Sequence, residues 1–186
     1  MGMAIAVHRF TVDEFQRMGE AGVLPADARV ELLDGQIVEM TPIGPAHNGC
    51  VAALIRLLGR RLPESAWLWV QSPVQLHERE APQPDVVVLR ARADAYRTAQ
   101  PQPQDVELVI EVGDSSVAAD RRAKLPRYAR AAIPETWLVD LPGDGVELYR
   151  EPREGRYTDV HTARRGETIA PLAFPELTLS VDEILG

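Results

Sequence analysis

Apolar and polar positions alternate along this chain with two periods, and the changes of period mark out its elements. Val51, Leu54, Ile55 and Leu58 recur three and four apart, with Arg56, Arg60 and Arg61 off the stripe. That spacing predicts an amphipathic helix over residues 46–62. Residues 11–22 predict another helix, with Thr11 placed to cap it, Glu14 three residues later, and Gly19 or Gly22 to end it. In residues 29–40, two short apolar runs flank Asp34-Gly35, a tight-turn pair, and predict a hairpin. Strands are expected over residues 66–77, 85–89, 105–112 and 135–140. A second hairpin is expected from "GVELYRE" and "YTDVHTA", and "LTLSVDEIL" closes the pattern. Residues 117–132 read as helical, with Pro126 either kinking the helix or marking its true start. Residues 90–104 are polar with prolines near their end, and read as a surface connection with one short helical turn.

The runs Val86–Leu89 and Leu108–Ile110 are apolar on both faces, as in strands covered on both sides. Strand and helix mix throughout, which predicts an α/β fold with a mixed central sheet flanked by helices and added hairpins. No repeat, low-complexity stretch or linker divides the 186 residues, so one domain over residues 1–186 is expected.

Against that pattern, some charges stand out. Glu111 lies inside "LVIEVG", on the face of Val109 and opposite Leu108, Ile110 and Val112. A carboxylate on a covered face is unfavourable unless paired or bound to metal, so a salt bridge to an arginine competes with a functional role. Asp85, in "QPDVVVL", opens its own strand; alone it reads as turn chemistry. If the two strands are neighbours, about 4.8 Å apart, their carboxylates can converge and repel, and a divalent cation relieves that conflict. Acid oxygens suit Mg²⁺ or Mn²⁺ rather than zinc. Glu31 interrupts "RVELLDG" as a third acid, with a solvated strand residue as its plain alternative. Lys124 can fold back toward the end of Glu111's strand, although most helix lysines simply face water.

Composition narrows the classes. The net charge of −8 argues against a non-specific grip on a polyanion, though not against a local basic stripe. Arg121, Arg122, Lys124, Arg127 and Arg130 offer such a stripe, or else a solvated helix face. Aromatic residues make up only 5%, which does not suggest base stacking on single strands. The single cysteine, Cys50, allows no internal disulfide, and the absence of a long apolar run predicts no membrane span; a cytoplasmic setting is expected. "GPAHNG" is no phosphate-cradling Walker loop.

The order "VELLDG", "AHN" opening a helix, "QPDVVVL", "LVIEV" and then a lysine, "AAIPETWLVD" and "GETIAPLAFPELTLSVDEIL" resembles the Uma-type restriction endonuclease family, a branch of the PD-(D/E)XK nuclease superfamily. The resemblance spans nearly the whole chain. It implies a restriction-endonuclease-like core in which Pro84-Asp85 is the "PD" element, Glu111 the second acid and Glu31 the upstream acid. The superfamily's lysine stands two places after the second acid, where this chain has Gly113; Lys124 is the substitute. His47 falls where the family often carries a histidine, with Tyr128 and Asp120 as supporting candidates, Asp120 as a salt partner of Lys124.

The expectation is a metal-dependent endonuclease acting on DNA, with Glu31, Asp85 and Glu111 holding Mg²⁺ or Mn²⁺ and Lys124 orienting water or steadying the transition state. A nuclease fold kept as an inactive binding or assembly module is the alternative, as is a hydrolase of a smaller phosphate compound. A homodimer is expected, with Trp67, Trp69 and "LAFPEL" as candidate contacts.

Overall fold

The structure is a computed structural model that describes residues 6–25, 27–114 and 117–186, the side chains of residues 119 and 120 excepted. Helix α1 (Val12–Glu20) begins at the expected capping box: Glu14 N–H donates to Thr11 Oγ1 at 3.2 Å, and Thr11 N–H donates to Glu14 Oε2 at 2.8 Å. It ends on Ala21 rather than on a glycine. Strands β1 (Val30–Leu33) and β2 (Gln36–Glu39) form the first hairpin. Its turn places Asp34 at φ 50° and Gly35 at φ 68°, the left-handed pair of a tight hairpin turn.

Helix α2 (Pro45–Arg61) opens with a proline whose missing N–H is not needed there. Its buried face is His47, Cys50, Val51, Leu54, Leu57 and Leu58. Ile55 is 37% exposed, so the stripe read from sequence is rotated: Leu57 and Cys50 take the place given to Ile55. Strand β3 (Ala66–Val70) stops well short of residue 77, because Gln71 turns to φ 42° and Pro73 cannot donate to a ladder.

Strand β4 (Val86–Arg90) pairs antiparallel with β5 (Val106–Gly113), with an irregularity between Val88 and Leu89. A single 3₁₀ turn, Pro103–Asp105, precedes β5. The helix expected over residues 117–132 is two helices, α3 (Val117–Ala123) and α4 (Leu125–Arg130), with the break at Lys124. Pro126 therefore marks a second start: its ring cannot continue the ladder of α3 but fits the first turn of α4.

Strand β6 (Glu135–Asp140) lies parallel to β5, and β7 (Gly145–Arg153) and β8 (Arg156–Arg164) complete the sheet as the second hairpin. The order is β3-β4-β5-β6-β7-β8, mixed as expected. Short strands β9 (Thr168–Ile169) and β10 (Leu179–Ser180) pair before the closing helix α5 (Val181–Leu185), which Ser180 caps.

Side-chain alternation sends the sheet residues to two cores. Val86, Val88, Leu108, Ile110 and Val112 pack with the buried face of α2 and with α5. Val87, Leu89, Val106 and Val109 pack on the other side against Tyr128 and Ile133. Each fully buried aliphatic side chain contributes about 1.5–3 kcal/mol. Glu111 thus stands on the Tyr128 side, as its alternation with Val109 required. No helix among the described residues is long and apolar enough to cross a membrane.

Candidate active site

Glu31, Asp85, Glu111 and Lys124 come from four separate parts of the chain and all line one open cavity of about 400 Å³. β1 supplies Glu31 from its buried face. Asp85 stands one residue ahead of β4, and Glu111 near the end of β5, so the antiparallel pairing brings these two strand ends together. The break between α3 and α4 delivers Lys124. All four are buried, at 6%, 9%, 2% and 9% exposure, where an unpaired charge would not be tolerated.

Each acid is accordingly held. Lys124 Nζ donates to Glu111 Oε2 at 3.1 Å and lies 3.9 Å from Glu31 Oε2. Tyr128 donates its hydroxyl to Glu111 Oε1 at 2.5 Å. Burial, and then the charge of Glu111, hold the Tyr128 phenol well above its ordinary pKa, so it stays a donor. The Gln83 N–H donates to Glu31 Oε2 at 3.1 Å. Asp85 Oδ2 receives both the Val112 N–H, at 2.9 Å, and His47 Nε2, at 3.1 Å. Burial pushes the Asp85 carboxyl up, but the His47 and Val112 contacts and the charge of Lys124 outweigh it, and the net shift is downward. Asp85 in turn raises the His47 pKa against burial and against the charge of Arg29. The other ring nitrogen, His47 Nδ1, is buried without a hydrogen bond among the described residues.

The packing of α3 accounts for the glycine at position 113. A Cβ on Gly113 would stand 2.5 Å from Val117 Cγ2 and 3.0 Å from its Cα. The start of α3 crosses directly over that position and leaves no room for a lysine. The ammonium comes instead from the far end of the same helix. Lys124 is the chain's single lysine among 20 basic residues, a signal that was available in the sequence and not used there.

Lys124 pairs with Glu111 and Glu31; the side chain of Asp120, its expected partner, lies outside the described residues. The basic stripe is largely spent on internal pairs: Arg121 Nη2 meets Glu147 Oε1 at 2.5 Å and Asp140 Oδ2 at 3.8 Å, and Arg127 Nε meets Glu80 Oε1 at 2.5 Å. Arg122 and Arg130 remain exposed. Trp67 is exposed at 42%, whereas Trp69 packs against the Tyr96 core. Sequence reasoning also missed three charged residues of the cavity wall, Arg29, Glu39 and Asp114. Arg29 could have been found, since it lies two residues before Glu31 and so on the same strand face. A further buried acid, Glu135, belongs to a structural cluster: it accepts from Trp137 Nε1 at 2.8 Å, Arg150 Nε at 2.8 Å and Leu172 N–H at 2.6 Å.

The geometry is thus a mixed sheet between helices, with acids at neighbouring strand ends and one ammonium beside them. The chain belongs to the Uma2 family, described as "Putative restriction endonuclease", whose model matches residues 12–182. It is similar to a crystal structure from Anabaena variabilis ATCC 29413 described as "a putative nuclease belonging to DUF820". That match has a TM-score of 0.71 at 16% identity and covers 95% of this chain and 97% of the other, a likeness of fold. No curated protein matches the sequence.

Proposed function

We propose that this chain is a metal-dependent endonuclease that hydrolyses DNA phosphodiester bonds, with Glu31, Asp85 and Glu111 as ligands of Mg²⁺ or Mn²⁺ and Lys124 as the ammonium beside the reacting phosphate. The observation that carries the reading is the meeting of these four side chains in one open cavity.

The donor set suits a hard divalent cation. Among the described residues, Glu31 and Asp85 each keep one carboxylate oxygen, Oε1 and Oδ1, with no hydrogen bond, and both residues line the cavity. No three acidic, histidine or cysteine groups among the described residues are gathered closely enough to enclose an ion. A cation here would therefore be held by one or two of the three carboxylates at a time, with retained waters and substrate phosphate completing its shell. When bound, the cation would lower the pKa of a water and offset charge on the scissile phosphate.

The chain's own groups do the rest. Tyr128 and Lys124 hold Glu111 from both oxygens, and His47 with the Val112 N–H fixes Asp85, so the acids are oriented before substrate arrives. Lys124 Nζ orients the attacking water or stabilises the charge that develops on the phosphorane oxygens. Cutting both strands of a duplex calls for two such sites, so a homodimer belongs to this reading.

Incubating the purified protein with supercoiled plasmid in Mg²⁺, in Mn²⁺ and in EDTA tests it. Nicking that requires metal and disappears in Asp85→Ala and Glu111→Ala is the expected result. A folded protein that binds metal but never nicks duplex would point to an inactive module.

A further inference from the structure

A chain of net charge −8 has to hold a polyanion through local positive charge, and the cavity is itself walled by acids. Lys124 is committed to Glu111 and stands beside Glu31. Arg121 and Arg127, on the two helices flanking Lys124, are bound to carboxylates. Arg29 differs from all three. It lines the cavity yet is exposed, and among the described residues it makes no ion pair, although acids share the same walls. Among the described residues, its side chain makes one hydrogen bond, from Nη1 to the Thr41 carbonyl at 3.4 Å, near the limit for such a contact.

Its position is fixed by the hairpin. The Met40 N–H donates to the Arg29 carbonyl at 2.9 Å, which extends the β1–β2 ladder by one residue. Alternation then turns residues 29, 31 and 33 to one side, and all three line the cavity, Arg29 outermost. Glu31 therefore lies two residues inward from Arg29 along one strand face.

We propose that Arg29 is a phosphate-binding residue, whose guanidinium receives a backbone phosphodiester of the bound nucleic acid at the mouth of the cavity, adjoining the phosphate that reaches Lys124. The planar fork of donors suits two oxygens of a phosphodiester at once. A guanidinium whose contact among the described residues is one long hydrogen bond to a carbonyl gives up no ion pair there when it takes that anion. The proposal rests on the nuclease reading and names the group that positions the substrate.

The test is fluorescence anisotropy of a short labelled DNA duplex in Ca²⁺, over a series of salt concentrations. Wild type is compared with Arg29→Ala, Arg29→Gln and Arg29→Lys, and thermal unfolding confirms that each variant is folded. Arg29→Ala and Arg29→Gln should bind roughly tenfold more weakly. Their slope of log affinity against log salt should be shallower by about 0.9, the loss of one phosphate contact. Arg29→Lys should keep the slope, because it keeps the charge, while losing part of the affinity. Arg29→Gln can still donate to the Thr41 carbonyl, so wild-type behaviour in that variant would make Arg29 a structural tether and overturn the proposal. If wild type nicks plasmid while all Arg29 variants bind like it, this inference alone falls. If wild type binds no duplex, the nuclease reading falls and takes this inference with it.

Discussion

Asp85 and His47 show how two buried residues set each other's protonation. Asp85 has its pKa lowered and His47 has its pKa raised, each chiefly by the other once burial is overcome. The linkage has a definite sign. A histidine raised on folding adds stability that is complete below its unfolded value of about 6.5 and is lost as pH rises through the higher folded value. A depressed aspartate adds stability that is present above its unfolded value of about 3.9 and is lost as pH falls through the lower folded value. His47→Ala should therefore destabilise the protein by about 1–3 kcal/mol near pH 5, and by less at pH 9. Urea unfolding at the two pH values checks this; a difference that grows toward alkaline pH would refute the pairing. At the same scale the acids were legible: Glu111 inside an apolar run and Asp85 at a strand mouth are conflicts that sequence alone exposes. Their partners Tyr128 and His47 were named only through the family resemblance, as supporting candidates, because tertiary packing and not local pattern brings them to the acids.

At the scale of elements, the break between α3 and α4 decides where the ammonium stands. Sequence placed one helix over residues 117–132 and left Pro126 to kink or start it; the start was the answer, and it puts Lys124 at the junction. Both hairpins were legible, the first from its Asp34-Gly35 turn and the second from its two strand-like runs; in the structure Asp34-Gly35 and Glu154-Gly155 both adopt left-handed backbone. The early end of β3 and the rotated stripe of α2 were not, because neighbours rather than periodicity decide them. The crossing of α3 over Gly113 yields a prediction. Gly113→Lys should destabilise by about 1–3 kcal/mol through overpacking, because the contact is to the Val117 backbone as well as its side chain. In a Lys124→Ala background it should not restore plasmid nicking. Recovery of nicking in that double variant would show that a lysine two places after Glu111 can serve the site after all.

For the whole molecule, net acidity makes the proposed hold on DNA depend on local basic groups such as Arg29 at the cavity rim. Trp67 on the edge strand β3, Val160 on the edge strand β8 and Leu172 are among the exposed apolar groups that a second copy could cover. Light scattering should return the mass of a dimer, and a monomer at high concentration would contradict the paired-site reading. Cys50 takes no part: it donates to the Ile184 carbonyl at 3.2 Å, and burial pushes its pKa to about 12.

The account turns on whether Glu31, Asp85 and Glu111 share a cation. Calorimetric titration of Mn²⁺ into wild type, Asp85→Ala and Glu111→Ala measures that without relying on turnover. Wild type should bind, and each variant should bind at least roughly tenfold more weakly, about 1.4 kcal/mol or more. Equal binding by wild type and both folded variants would contradict it.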